Sequence, residues 1–241
     1  MLKKLAVVLV TTVACLGFST LASAQTCQDI HGLGSNGCAP SPLFGANVTL
    51  SGIVYVAAGT YNSGSVYFQC PGGSGGMTFF DNVAAPGSLF VGDEISVSGV
   101  VAQFGDEIQL SGASWAIVSS GNSTSATAIA SGTLAAGLDL LGDLMSVQGT
   151  LTKISAAGCF NCIFEIDDGS GPVTAFVDGT TGIDIAAMDA MVGGEVEIVG
   201  ATKCFGGVGE ILPRFDTDIT LISVAVEEGS WSNVKTIYRD E

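Results

Sequence analysis

Val91-Gly92-Asp93-Glu94-Ile95-Ser96-Val97-Ser98-Gly99 is answered 101 residues later, without a gap, by Val192-Gly193-Gly194-Glu195-Val196-Glu197-Ile198-Val199-Gly200. Both stretches open on Val-Gly, carry glutamate at the fourth place and close on glycine. Upstream, TLSGIVYV around Gly52 matches SVQGTLTK around Gly149 at an offset of 97. Downstream, Glu107-Ile108 corresponds to Glu210-Ile211, each after a glycine-containing turn. A period of about one hundred residues is too long for a solenoid repeat. It reads as a duplicated domain.

Within each copy, short stretches alternate apolar and polar residues and are rich in β-branched types, as in strands with one buried face. They fall at 48–57, 65–69, 77–81, 94–102 and 107–117, then at 144–154, 163–167, 173–177, 195–201 and 210–222. Residues 183–188, between the third and fourth strands of the second copy, suit one or two helical turns. Five strands with the longer connection between the third and fourth is the order of an OB barrel. Glycines inside the first strand (Gly52, Gly149) and the fourth (Gly99, Gly200) fit, because a small barrel must bend its long strands sharply. The expected class is all-β, with two tandem five-stranded OB-like barrels at 25–118 and 133–224. A Ser/Thr/Gly-rich linker, 119–132, joins them.

The stretch IHGLGSNGCAPSPLFGANVTLSGIVYV, followed by VYFQC and VGDEISVSGVVAQFGDEIQL, resembles the OB-like domains that precede the catalytic domain of secreted bacterial nucleases. Similar domains occur alone in exported bacterial proteins. The resemblance covers residues 29–117 and, more loosely, 128–222. It implies a fold. The catalytic domain of those nucleases has no counterpart in the sequence, so their activity is not implied.

The chain begins MLKKLAVVLVTTVACLGFSTLASA: a charged start, a short apolar run and Ala22-Ser23-Ala24, the order of a secretory signal peptide spanning 1–24. Cys15 lacks the upstream leucine of a lipoprotein signal, and no later apolar stretch reaches the length of a membrane span. The expected location is secreted, periplasmic or cell-surface. Six cysteines follow the leader, Cys27, Cys38, Cys70, Cys159, Cys162 and Cys204, and an even count in an exported chain reads first as disulfides. Three lie in each half, so complete pairing requires at least one bridge between halves. Cys27 with Cys38 is the easiest local loop, and Cys204 with Cys159 or Cys162 would pin two loops at one end of the second barrel.

Chemistry-bearing groups are sparse. His31 is the single histidine, so a catalytic triad or a histidine metal site would rest on it alone, and a solvated loop is its expected setting. Cys159-Phe160-Asn161-Cys162 is a CxxC without the following helix that activates a redox thiolate. Asp167-Asp168-Gly169 reads as a turn, and Asp216 and Asp218 as neighbours on one strand face; no DxDxDG calcium loop is present. No catalytic residue, metal ligand or cofactor is assigned.

A formal charge of −16 arises from 23 acidic residues against 7 basic ones. After the leader only Lys153, Lys203, Arg214, Lys235 and Arg239 remain basic. Nonspecific DNA binding needs a cationic phosphate track, so this balance disfavours nucleic acid as a partner despite the fold. The tail, 225–241, places Trp231, Val234 and Tyr238 at helical spacing, and 229–239 is a candidate surface-attachment segment. The leading function is an exported, noncatalytic binding or structural module for an unknown protein or small ligand. Its candidate ligand-facing loop residues are Tyr61, Asn62, Phe160, Asn161 and Phe205. Alternatives are an accessory DNA-binding module of a secreted nuclease system, and a thiol-disulfide or calcium-binding protein.

Overall fold

The computed structural model describes residues 25–32, 38–61, 64–73, 75–80, 88–137 and 142–223. The stretch read as a signal peptide and the tail expected to be helical lie outside them, as does Asn62. Strands β1 (Asn47–Val56), β2 (Ser65–Gln69), β3 (Gly76–Phe80), β4 (Glu94–Phe104) and β5 (Glu107–Ser119) close into a barrel in the order β1-β2-β3-β5-β4. All neighbours are antiparallel except β3 and β5, which pair in parallel through Thr78–Gln109 and Phe79–Leu110. The second sheet contains β6 (Thr127–Ala128), β7 (Leu144–Lys153), β8 (Cys162–Asp167), β9 (Val173–Val177), β10 (Glu195–Phe205), β11 (Val208–Leu212) and β12 (Ile219–Ser223). A β10–β7 pairing closes its five central strands into the same order, again with one parallel pair, β9 with β11. The protein is all-β and carries the OB-like barrel twice.

The repeat survives at the level of strand register. In the first barrel Gly52 faces Ile95, Leu50 faces Val97 and Val48 faces Gly99. In the second, Gly149 faces Val196, Val147 faces Ile198 and Met145 faces Gly200. Gly52 and Gly149 are close-approach positions: a Cβ at either would stand 2.5 Å from a carbonyl oxygen of the neighbouring strand, that of Gln69 or of Asp167. They let β1 and β7 coil tightly enough to pair on both sides.

Each barrel holds its own core. Val54, Val66, Phe68, Phe79, Ile95 and Leu110 are fully buried in the first, and Val147, Leu151, Phe164, Ile166, Val196 and Ile198 in the second. The period-two alternation fails at Tyr55-Val56 in β1 and across Leu144–Val147 in β7, among other places, where consecutive residues are buried. There both faces are covered. A third cluster, including Tyr55, Val56, Tyr61, Tyr67, Leu144 and Leu212, fills the seam between the barrels.

Helix α1 (Cys27–His31) is held by a capping box between Thr26 and Asp29. Helix α2 (Ser131–Ala135) follows β6, so the Ser/Thr/Gly-rich stretch expected as linker contributes a strand to the second sheet before the chain turns into α2. The helical turns expected at 183–188 form α3 (Ile185–Asp189), capped by Asp184.

Several expectations are corrected. The fifth strand of the second copy is not continuous: β11 stops at Leu212, because Pro213 has no backbone donor for the ladder, and the chain resumes as β12 along β10. Asp216 and Asp218 therefore lie in a 3-10 turn rather than on a strand, and Asp218 is buried. His31 is buried rather than solvated, with Nε2 2.9 Å from the Gly76 carbonyl. The bridges are Cys27–Cys70, Cys38–Cys204 and Cys159–Cys162, in place of the expected Cys27–Cys38 loop and of Cys204 with Cys159 or Cys162. Helix α1 delivers Cys27 into the first core beside Cys70, and Cys38 packs on the second core beside Cys204. The required bridge between halves is Cys38–Cys204.

Candidate functional site

The seam is built from buried tyrosines. Tyr55 donates its hydroxyl to the Gly142 carbonyl at 2.5 Å, and Tyr61 donates to the Leu212 carbonyl at 2.7 Å. Tyr67 packs against both rings, at centroid distances of 6.1 and 6.0 Å. Burial pushes all three phenols well above their ordinary pKa. From the second barrel, Arg214 donates to the Tyr55 carbonyl at 3.0 Å and forks onto Asp218 at 2.8 and 2.7 Å. Burial pulls the guanidinium down, but the bonds and charge of Asp218 outweigh it and hold Arg214 above its usual value.

At one edge the seam opens into a cleft of about 780 Å³. Its aromatic wall is Phe80, Phe104, Phe176 and Phe205. Phe104 ends β4 and Phe205 ends β10, so they stand at the same place in the repeat, 101 residues apart. They are 78% and 66% exposed, a large cost in unburied apolar surface for two equivalent residues. Each begins a two-residue hairpin turn, Gly105-Asp106 or Gly206-Gly207. Gly206 and Gly207 both have positive φ, 62° and 82°, as the hairpin geometry suited to twisted strands demands. The two tips touch: the Gly207 amide donates to Asp106 Oδ2 at 3.0 Å. Beside Phe205, Cys204 is tied to Cys38, which anchors this hairpin to the N-terminal segment.

Glu107 and Lys203 supply charge in the cleft. Tyr67 donates to Glu107 Oε1 at 2.7 Å. Burial raises the Glu107 pKa, opposed by that bond and by the charge of Lys203. Lys203 Nζ lies 5.4 Å from the Phe176 ring centre, 5.8 Å from that of Phe205 and 3.9 Å from Glu210 Oε2. Asp106 and Asp178 are the other charged lining residues.

Of the expected ligand-facing residues, Tyr61 and Phe205 meet at this cleft. Tyr61 is buried with its hydroxyl spent on the seam, whereas Phe205 presents its ring. Phe160 and Asn161 lie apart from the lining, in the β7–β8 loop. There Asn161 Oδ1 accepts from the Gly179 amide at 3.0 Å and Phe160 is exposed. Phe104, Phe176, Glu107 and Lys203 escaped sequence reading. The signal for Phe104 was present, since the offset that aligns Glu94 with Glu195 also aligns it with Phe205.

The remaining chemistry is occupied with structure. Cys159 and Cys162 are bridged to each other. Asp167 accepts from the Gly169 and Gly171 amides, forming the expected turn. Asp168 bonds Ser170 and Ser131, which holds its pKa well below the carboxylate range and fastens the start of α2. Among the described residues no group of three or more His, Cys, Asp or Glu could hold a metal ion.

No protein-family model matches the chain, and no curated protein matches it. Among solved structures, a murine DNA binding protein bound with ds DNA matches at 11% identity and a TM-score of 0.38, with 68% of this chain and 92% of that chain covered. A structure reported under the words "Structural mimicry for functional antagonism" matches at 9% identity and 0.36, covering 69% and 91%. The p204 HINb domain matches at 10% identity and 0.34, covering 70% and 91%. These matches lend no support to the bacterial nuclease context. The expectation that set nucleic acid aside is withdrawn: a murine DNA binding protein bound with ds DNA is among the matches, which is a fact of that protein.

Proposed function

We propose that the protein is an exported, noncatalytic binding module whose ligand is held in the cleft between its barrels. The observation that carries this reading is the pair of exposed phenylalanines, Phe104 and Phe205, at equivalent hairpin tips facing one cavity. The cavity has the size of small-ligand and peptide sites, on the order of 300–1,000 Å³. The seam of tyrosines, Arg214 and the Cys38–Cys204 bridge fixes the walls, so the site is preformed. Three disulfides suit an oxidising compartment, in keeping with the leader-like start. The barrels at 25–118 and 133–224 act as one unit across that seam.

Calorimetric titration of the protein against short peptides, oligosaccharides and single-stranded oligonucleotides tests this. A saturable ligand is expected, with binding lost in the Phe104→Ala/Phe205→Ala variant. Binding indifferent to that variant, or turnover of the bound ligand, would overturn the reading. Nucleic acid is the second reading, because exposed aromatic rings are platforms on which bases stack. Steep weakening with added salt would mark it.

A further inference from the structure

We propose that the cleft recognises a basic segment of a partner polypeptide, receiving a lysine or arginine side chain between Phe104 and Phe205 and over Glu107. This deepens the binding-module reading and rests on it. The charges lining the cleft are Asp106, Glu107 and Asp178 against Lys203 alone, so the site is short of positive charge. Lys203 is already committed, its Nζ set over two rings and near Glu210. That lysine shows what the aromatic wall accepts, a cation over the negative face of a phenylalanine ring. Among the described residues no lysine or arginine is stacked on Phe104, which is their most exposed large apolar side chain.

Glu107 gives the direction of the charge. Its carboxyl is half-buried, and the hydroxyl bond from Tyr67 and the charge of Lys203 offset only part of the cost of its desolvation. An incoming ammonium or guanidinium would relieve that. The cavity far exceeds the volume of one cationic head group, so the ligand needs an extended body, which the backbone and neighbouring side chains of a peptide supply. The acidic surface as a whole would steer a basic partner toward the protein.

The test is fluorescence anisotropy with three dye-labelled probes: the peptide Gly-Lys-Leu-Arg-Gly, its neutral counterpart carrying acetyl-lysine and citrulline, and an oligothymidylate. The basic peptide is expected to bind saturably and to weaken with salt, and the neutral peptide to bind about tenfold more weakly or not at all. Glu107→Gln and Phe104→Ala/Phe205→Ala should each weaken the basic peptide about tenfold. Glu107→Gln keeps the acceptor for Tyr67 and the two rings are exposed, so circular dichroism should show both variants folded. Equal binding of the two peptides, or no binding of the basic one, overturns the proposal. Oligothymidylate binding that is lost in the double phenylalanine variant overturns it while leaving the cleft reading in place. Basic-peptide binding that ignores the phenylalanines overturns both.

Discussion

Removing each disulfide in turn should produce a graded loss of stability set by loop length. The bridges span separations of 166, 43 and 3 residues, for Cys38–Cys204, Cys27–Cys70 and Cys159–Cys162. Loop-closure entropy in the unfolded chain gives about 5, 4 and 1.5 kcal/mol respectively. The Cys27–Cys70 bridge shortens the longest loop only slightly, and the logarithm absorbs the difference. Paired Cys→Ala variants of Cys38/Cys204 and Cys159/Cys162 make a fair comparison, because each of those bridges has one buried and one half-buried partner. For a chain of this size about 2–4 °C of Tm accompanies each kcal/mol, so the Cys38/Cys204 variant should melt about 10–20 °C lower and the Cys159/Cys162 variant only a few degrees lower. Thermal and urea unfolding followed by circular dichroism, with all variants at one protein concentration, provides the measurement. If the Cys159/Cys162 variant loses as much as the Cys38/Cys204 variant, loop entropy does not govern these bridges and the argument fails.

Two further outcomes follow from the seam and the cleft. Arg214→Ala leaves Asp218 buried without its partner and the Tyr55 carbonyl without its donor, and should cost about 3–5 kcal/mol in urea unfolding. Arg214→Met with Asp218→Leu should cost clearly less, and equal losses would show that the charge pair is not what matters. Glu107 has a raised pKa in the folded state, so its favourable contribution is complete below about pH 4.5 and is lost as pH rises through the raised value. Glu107→Gln cannot ionise, so its Tm should fall less than that of the parent between pH 4.5 and neutrality; a parent–variant difference that stays flat with pH would refute this.

The barrels were legible because their determinants are local. Alternation marks the buried face of each strand, and Gly52 and Gly149 mark the places where a neighbouring carbonyl leaves no room for a side chain. The duplicated offset even carried the strand register from one copy to the other. What escaped sequence reading depends on how the two barrels meet. Tyr55 and Val56, or Leu144 and Met145, break the alternation only because the other barrel covers the second face, and no single copy encodes that. The cysteines misled for the same reason: Cys27 and Cys38 are neighbours in sequence, yet α1 sends one to the first core and the following segment brings the other to the second. Pro213 was a readable stop, and treating 210–222 as one strand ignored its missing donor. The cleft was half visible, since Phe205 was selected by its loop, while Phe104 needed the repeat offset to be applied one turn further.

The Cys38–Cys204 bridge also constrains the order of events during synthesis. Cys27 can find Cys70 as soon as the first barrel has emerged, but Cys38 then waits with a free thiol until almost the whole second barrel has been made. During that interval oxidation offers it only wrong partners, and Cys27 is the nearest. Early closure of Cys27–Cys70 removes that competitor, so the quick bridge guards the slow one, and a helper that reshuffles disulfides would matter most to chains in which the sequence of closures is inverted.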